Sequence, residues 1–396
     1  MSVILLLIIY LIFISLGLPD SLIGSSWPAI SQSLNVSESA QGIISFVSAV
    51  CTVISSFSTG QILKKISEKW VVIGSIFLTC IGLVCLSFSS NFIFLVLSMI
   101  PLGFGGGAID TTLNNYVALN YKAIHLNWLH AFWAIGASTS PLILSIFLSD
   151  INGWRSGALV LAAIQFSIFV IALCSISLWK VVEKNDLNRE EETSNLSFLK
   201  SFKIRGVAFA LIAFFAYIAL ESIAGVWFSS MMVFGLKISE DVASSYTSMF
   251  YIGIMVGRLI SGIVSLKISD KNMIRIGESI LFIGTIILMM NFSIILMPIG
   301  LFIIGLGCGP IYPSIVHATP IRFTKKLSKD VMAIQTGCAY IANFTALPLF
   351  GVVAKSTSFL ILPYVILAFF ILLALCNELV LIKTKDKEKV LEILRK

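Results

Sequence analysis

Long apolar runs, broken only by isolated polar positions, fill most of this chain. They fall at 3–28, 40–62, 71–89, 92–118, 126–148 and 156–179, and again at 206–235, 242–265, 276–295, 298–320, 331–352 and 359–382. A helix needs about 20 apolar residues to cross the hydrocarbon core of a bilayer, and each run is close to that length. The break between the two sets, KVVEKNDLNREEETSNLSFLKSFKIR at 180–205, mixes charges of both signs without a period. It reads as a linker with a short amphipathic piece near its end. The pattern therefore predicts an all-α integral membrane protein of twelve transmembrane helices. A first six-helix bundle covers 1–180, a linker 181–205, and a second bundle with a short tail 206–396. The first run begins at once, with no basic stretch before it and no small-residue cleavage site, so it reads as a retained span.

Composition agrees with the pattern. Of 396 residues, 58% are hydrophobic and 12% charged, about half the charge of a soluble domain. Mean hydropathy is +0.99. The net charge of +7 raises nucleic acid as a partner. The basic residues, however, sit in short connections between apolar runs, which is a topology signal. Of the 27 lysines and arginines, 23 fall in alternate segments on the side of the N-terminus. Three (Arg155, Lys237, Lys355) fall on the other side, and Arg258 lies within a run. This bias predicts a multi-pass protein of the cytoplasmic membrane with both termini cytoplasmic. The seven cysteines lie in apolar runs without metal-site spacing and read as small packing residues.

The two sets of runs repeat each other. GQILKKISEK from Gly60 matches GIVSLKISDK from Gly262, and GFGGGAID from Gly103 matches GLGCGPIY from Gly305, both at a shift of 202. LPDS ending at Ser21 matches ALES ending at Ser222, a shift of 201. Matched halves place a substrate site between them, near the bilayer midplane.

Charge inside an apolar run is costly, about 2.5–3.5 kcal/mol at a helix centre, and marks function by default. Asp20, Asp110 and Glu221 stand out, with Arg258 as the one basic counterpart. Asp20 follows Pro19, which removes a backbone donor and is expected to break the first helix beside the carboxylate. Asp110 and Asn114 are four apart and share a helix face, as do Gly103 and Gly107, whose spacing favours close helix contact. No lysine follows the glycines, so they are not a phosphate loop. Asn127 and His130 share a face of the fifth helix and can bond hydroxyls. Trp133 reads equally as a plate for a sugar ring or a packing aromatic. In the second half Tyr312 stands where Asp110 stands in the first, between Pro310 and Pro313, and Gln335, Tyr340 and Asn343 add neutral polar groups. Arg258 needs a carboxylate or carbonyl partner and reads as an interior clamp.

Two six-helix halves, a charged linker and basic loops after helices 2 and 8 resemble the major facilitator superfamily over essentially the whole chain. The superfamily's loop motif is altered: Lys64 occupies its aspartate position and Ser67 its second glycine. GFGGGAIDTTLNN, LNWLHAFWAIGA and GPIYP further resemble the fucose permease and sodium–glucose transporter branch. That resemblance implies sugar uptake coupled to a proton or sodium. Asp20 matches the branch's acid on helix 1, a proton-coupling candidate, and Asp110 its sugar-associated glutamate on helix 4. His130 replaces a glutamine and Trp133 an asparagine.

The expectation is thus a monomeric secondary transporter for a sugar-like polar solute. Asp110, Asn114, Asn127, His130, Trp133, Tyr312, Gln335 and Asn343 are candidates for the substrate, and Asp20, Glu221 and Asp110 for the coupling cation. Pro19, Gly103, Gly107 and Arg258 are candidates for gating and structure. No cofactor beyond the coupling ion and no nucleic acid is expected. A drug/proton exporter, which the 29 phenylalanines make arguable, and a non-transporting membrane sensor are the alternatives. With no nucleophile–base pair or metal cluster, an enzyme is not expected.

Overall fold

A computed structural model describes residues 3–121, 124–150, 152–179, 206–290, 294–323 and 325–395. Twelve of its helices are long and apolar enough to cross a membrane. They are α1 (Val3–Ser33), α2 (Gln41–Leu63), α3 (Glu68–Ser87), α4 (Phe92–Asn120), α5 (Ile124–Phe147) and α6 (Gly153–Cys174). The second set is α7 (Val207–Ser230), α8 (Glu240–Val264), α9 (Asp270–Met290), α10 (Leu296–Arg322), α11 (Lys325–Ser356) and α12 (Leu362–Arg395). The linker at 181–205 lies outside the described residues. Every apolar run of the sequence is a helix, and no strand occurs among the described residues.

One expectation changes in detail. Pro19 does not break α1, which runs as one helix through both Pro19 and Pro28. The chain after 382 stays helical, as α12 continues to Arg395.

The internal repeat is written into the packing. A Cβ on Gly105 would lie 2.7 Å from the carbonyl oxygen of Ser75 on α3, and one on Gly307 would lie 2.7 Å from that of Gly277 on α9. Both pairs are related by the shift of 202. Gly103 likewise lies against the Ser48 carbonyl of α2, where a Cβ would come within 2.5 Å, and Gly305 lies against the Phe250 carbonyl of α8. Gly107 and Gly309 continue the series against Thr52 and Gly257. In lipid, where apolar burial gives helices no preference for each other, backbone approach through such small residues holds neighbours together. Among the described residues, the two left-handed non-glycine positions, Asn35 (φ 57°) and Lys237 (φ 60°), are also 202 apart. Each forms the turn from the first helix of its half into the second.

Equivalent helices pack equivalently: α3 on α4 and α9 on α10, α2 on α4 and α8 on α10. Between the halves, α5 packs on α8, α2 on α11 and α1 on α7. Twelve spans return the chain to the face it left; that face is the terminal face, and the opposite one the far face.

The far face is sealed. Gly24 of α1 meets Gly225 of α7, symmetry-equivalent residues touching each other, with the Gly225 carbonyl 2.9 Å from where a Gly24 Cβ would be. Ser229 donates to the Ser25 carbonyl (2.8 Å), Gln41 to the Val226 carbonyl (2.9 Å), and Ser244 to the Pro141 carbonyl (2.8 Å). Lys355 reaches Ser37 (2.7 Å) and Gln32 reaches Glu240 (2.8 Å). Toward the terminal face, no substantial packing joins α4 and α10 among the described residues. Among the described residues, the inter-half hydrogen bond furthest from the far face is that of Arg258 to the His130 carbonyl.

Candidate substrate cavity between the halves

Asp20 sits near the middle of α1, yet it is solvent-exposed. A carboxylate at that depth is accessible because it lines the space between the halves. α4 and α5 complete this wall. Asn114 donates to the Asp110 carboxylate (2.9 Å) and to its backbone carbonyl (3.0 Å). The four-residue spacing predicted that pair. Asp110 lies close enough to Asp20 to feel its charge. Trp133 on α5 donates its indole N–H to Asp20 (2.7 Å). The α1–α5 crossing fixes this geometry: Gly17 packs on the Trp133 backbone, and Gly136 packs on that of Ile14.

The opposite wall comes from α7, α8, α10 and α11. Arg258, 9% exposed, pairs with Glu221 at 3.3 Å. Its other terminal nitrogen donates to the His130 carbonyl of the first half (3.2 Å), and its guanidinium lies 5.2 Å from the centre of the Trp133 ring. The clamp expected of Arg258 is present, and it crosses between the halves. Tyr312 presents its ring to His130 at 6.3 Å and to Phe214 at 5.7 Å. Asn343 accepts a hydrogen bond from Ser222 (2.6 Å).

These bonds orient two amides in opposite senses. A carboxylate and a carbonyl only accept, so the Asn114 amide hydrogens are committed to Asp110 and its carbonyl is left over. Asn343 uses its carbonyl on Ser222 and keeps its amide hydrogens. The first-half wall therefore offers acceptors (Asp20, Asp110, Asn114). The second-half wall offers donors (Asn343, and the hydroxyl of Tyr312). With three acids against one guanidinium, the cavity also carries excess negative charge when all its groups are ionised.

The structure thus brings together Asp20, Asp110, Asn114, His130, Trp133, Glu221, Arg258, Tyr312 and Asn343. It does not bring Gln335 to them. That residue is 2% exposed and accepts from Thr319 (3.2 Å), tying α10 to α11. Two turns along α11 from Asn343, it faces the neighbouring helix instead of the cavity. The side chain of Asn127 lies outside the described residues. The Trp133 ring carries Arg258 over one face and meets Tyr251 in a T-shaped contact at 6.3 Å.

Sequence reasoning missed Ser222, whose hydroxyl orients Asn343, and Tyr251, which meets Trp133. It also missed acids set inside the spans of α9 and α12. Glu278 on α9 is 7% exposed and accepts from Asn377 of α12 (2.7 Å), next to the paired Arg275 and Glu378. The sequence run began at 276 and left Glu278 at its edge, whereas α9 starts at Asp270 and carries Glu278 two turns inward. This cluster staples α9 to α12 within the second half.

The architecture and the site define a polytopic carrier, and comparison with known proteins gives its family. The model of the Major Facilitator Superfamily matches residues 9–237 and 209–395, and the chain belongs to that family. It is a membrane transporter and not an enzyme. The glucose/mannose transporter GlcP of Bacillus subtilis (strain 168) is 24% identical over 315 residues, 77% of each chain. Among solved structures, a bacterial homologue of the human lysosomal transporter Spinster, inward-facing and unoccupied, superposes with a TM-score of 0.72 at 12% identity over 97% of both chains. The transporter FucP in its outward conformation gives 0.64 at 16% identity, covering 96% of this chain and 99% of its own.

Proposed function

We propose that this protein moves a sugar or sugar-like polyol across the cytoplasmic membrane, coupled to protons (or sodium), by alternating access. The observation that carries this reading is the polarity of the two walls. A hydroxyl both donates and accepts, so a polyol can satisfy the acceptor wall at Asp110–Asn114 and the donor wall at Asn343 together. An apolar drug would leave these groups unpaired at a cost of about 1–3 kcal/mol each. Similarity to a glucose/mannose transporter points to hexoses.

Excess negative charge supports cation coupling. Arg258 balances Glu221, which leaves Asp20 and Asp110 to take up the proton or sodium. The far-face seal and the separation of α4 from α10 suit a carrier whose site communicates with one side at a time. The lysine and arginine bias supports a multi-pass orientation with both termini cytoplasmic. In this reading the site is complete within one chain and the carrier works as a monomer.

The test is counterflow and net uptake of labelled glucose in proteoliposomes, at two pH values, with and without sodium. Expected are glucose counterflow competed by related hexoses, and accumulation driven by one of the two gradients. Asp20→Asn is expected to abolish accumulation. Full accumulation with normal pH dependence in Asp20→Asn would refute its coupling role. Absence of exchange with any hexose or polyol would refute the sugar reading.

A further inference from the structure

The aromatic ring between Asp20 and Arg258 carries a role that the substrate reading does not use. Four groups form one line across the interface between the halves. Asp20 of α1 accepts from the Trp133 indole (2.7 Å). The Trp133 ring carries the Arg258 guanidinium of α8 at 5.2 Å. Arg258 pairs with Glu221 of α7 (3.3 Å). An N-half acid is thereby linked to a C-half acid through one indole and one guanidinium. Arg258 makes a second contact with α5 at the His130 carbonyl (3.2 Å), one turn from Trp133, and its Nε has no partner among the described residues. The guanidinium is held by charge and ring face more than by a full set of hydrogen bonds.

The two ends of Trp133 behave differently in a rocking carrier. Its bond to Asp20 lies within the first half and is locked by the tight α1–α5 crossing at Gly17 and Gly136. Its contact with Arg258 crosses between halves and must be remade whenever they rock. An indole whose N–H is bonded to a carboxylate is polarised toward its ring, and a richer ring attracts a cation more strongly. Neutralising Asp20 weakens both.

We propose that Trp133 is a positioning residue for coupling: its N–H senses whether Asp20 is charged, and its face holds or releases Arg258 of the other half accordingly. Charged Asp20 keeps Arg258 seated on α5. Asp20 neutralised by the coupling ion loosens it and leaves Arg258 to Glu221 alone, so the halves can re-pack. The other ionisable groups facing this line are Asp110 of α4, His130 of α5, Tyr217 of α7, Tyr251 of α8, and Cys308 and Tyr312 of α10. This proposal rests on the cation-coupled reading above, and it applies where the coupling ion is a proton.

Two variants separate the two ends of the indole. Trp133→Phe keeps a ring for Arg258 and loses the N–H; Trp133→Gln keeps an N–H donor and loses the ring. In proteoliposomes with labelled glucose, the ratio of proton-gradient-driven uptake to counterflow is expected to fall about tenfold or more in Trp133→Phe, with a flattened pH profile. Trp133→Gln is expected to keep a pH-dependent profile at a reduced rate. If both variants lower uptake and counterflow in parallel with wild-type pH profiles, Trp133 contacts substrate or only packs, and the proposal is overturned.

A second readout does not depend on the solute. Tryptophan emission of the purified protein is followed across a pH titration. Part of its pH response is expected to vanish in Trp133→Phe and equally in Asp20→Asn, with both variants eluting as folded protein. A response unchanged in both overturns the sensing role even if the solute is not a sugar. Failure of wild-type glucose counterflow with this response present would instead count against the sugar reading alone and leave the sensing role supported.

Discussion

The far-face seal turns on Gly24. A methyl group added there would come 2.9 Å from the Gly225 carbonyl oxygen and 3.0 Å from the Val226 Cα. Both are backbone atoms, so no side chain can rotate away and the crossing of α1 and α7 must open. Overpacking of this kind costs about 1–3 kcal/mol. The better helix propensity of alanine acts in every state that keeps α1 helical, so it cancels from the balance between conformations. In Gly24→Ala the far-face-closed population is therefore expected to fall relative to the far-face-open one by between about fivefold and a hundredfold, at about 1.4 kcal/mol per factor of ten. Spin labels on cysteines at Asp150 and Ser356, exposed far-face positions in different halves, would report the distance between halves in a background lacking the native cysteines. A longer-distance population should grow in Gly24→Ala. Gly74→Ala is the control, because a Cβ at Gly74 meets nothing within 4 Å. An identical distance distribution in folded Gly24→Ala and in the control would refute the view that this glycine pair limits closure.

Two further outcomes are expected. Glu221→Gln leaves the guanidinium of Arg258 buried without its countercharge, a loss of about 3–5 kcal/mol. A large drop in thermal midpoint in detergent is expected, and Glu221→Gln combined with Arg258→Met should recover most of it. Lys237→Gly relieves a left-handed residue with a side chain and should raise the midpoint, by up to about 1 kcal/mol of stability. Asn35→Gly, at the equivalent turn, should change it less because asparagine tolerates that conformation. Equal gains at both turns would show that strain at Lys237 is not the cause.

Span number, the duplication and the presence of Asp20, Asp110 and Glu221 inside spans were legible in the sequence because each depends on composition or chain spacing. Twelve apolar runs can only be helices where the backbone must bond itself in lipid. Gly103 and Gly107 announced close packing, and the shift of 202 told which residues would take equivalent places. The four-residue spacing of Asp110 and Asn114 sufficed for their hydrogen bond, because a helix determines that neighbour locally.

Tertiary structure alone decided which way side chains on the spanning helices face. In a soluble protein an apolar stripe reports the buried side of a helix. Here lipid and protein interior are equally apolar, so Gln335 and Asn343 look alike in sequence although one bonds Thr319 and the other Ser222. Partners from distant helices were equally hidden: Trp133 reads as a free aromatic until α1 supplies Asp20 and α8 supplies Arg258. The sequence determined how many helices there are, which ones are paired by repetition and where charge enters them. Which charges meet, and which face of the molecule is shut, depended on packing between segments some 40 to 200 residues apart, which no local pattern encodes.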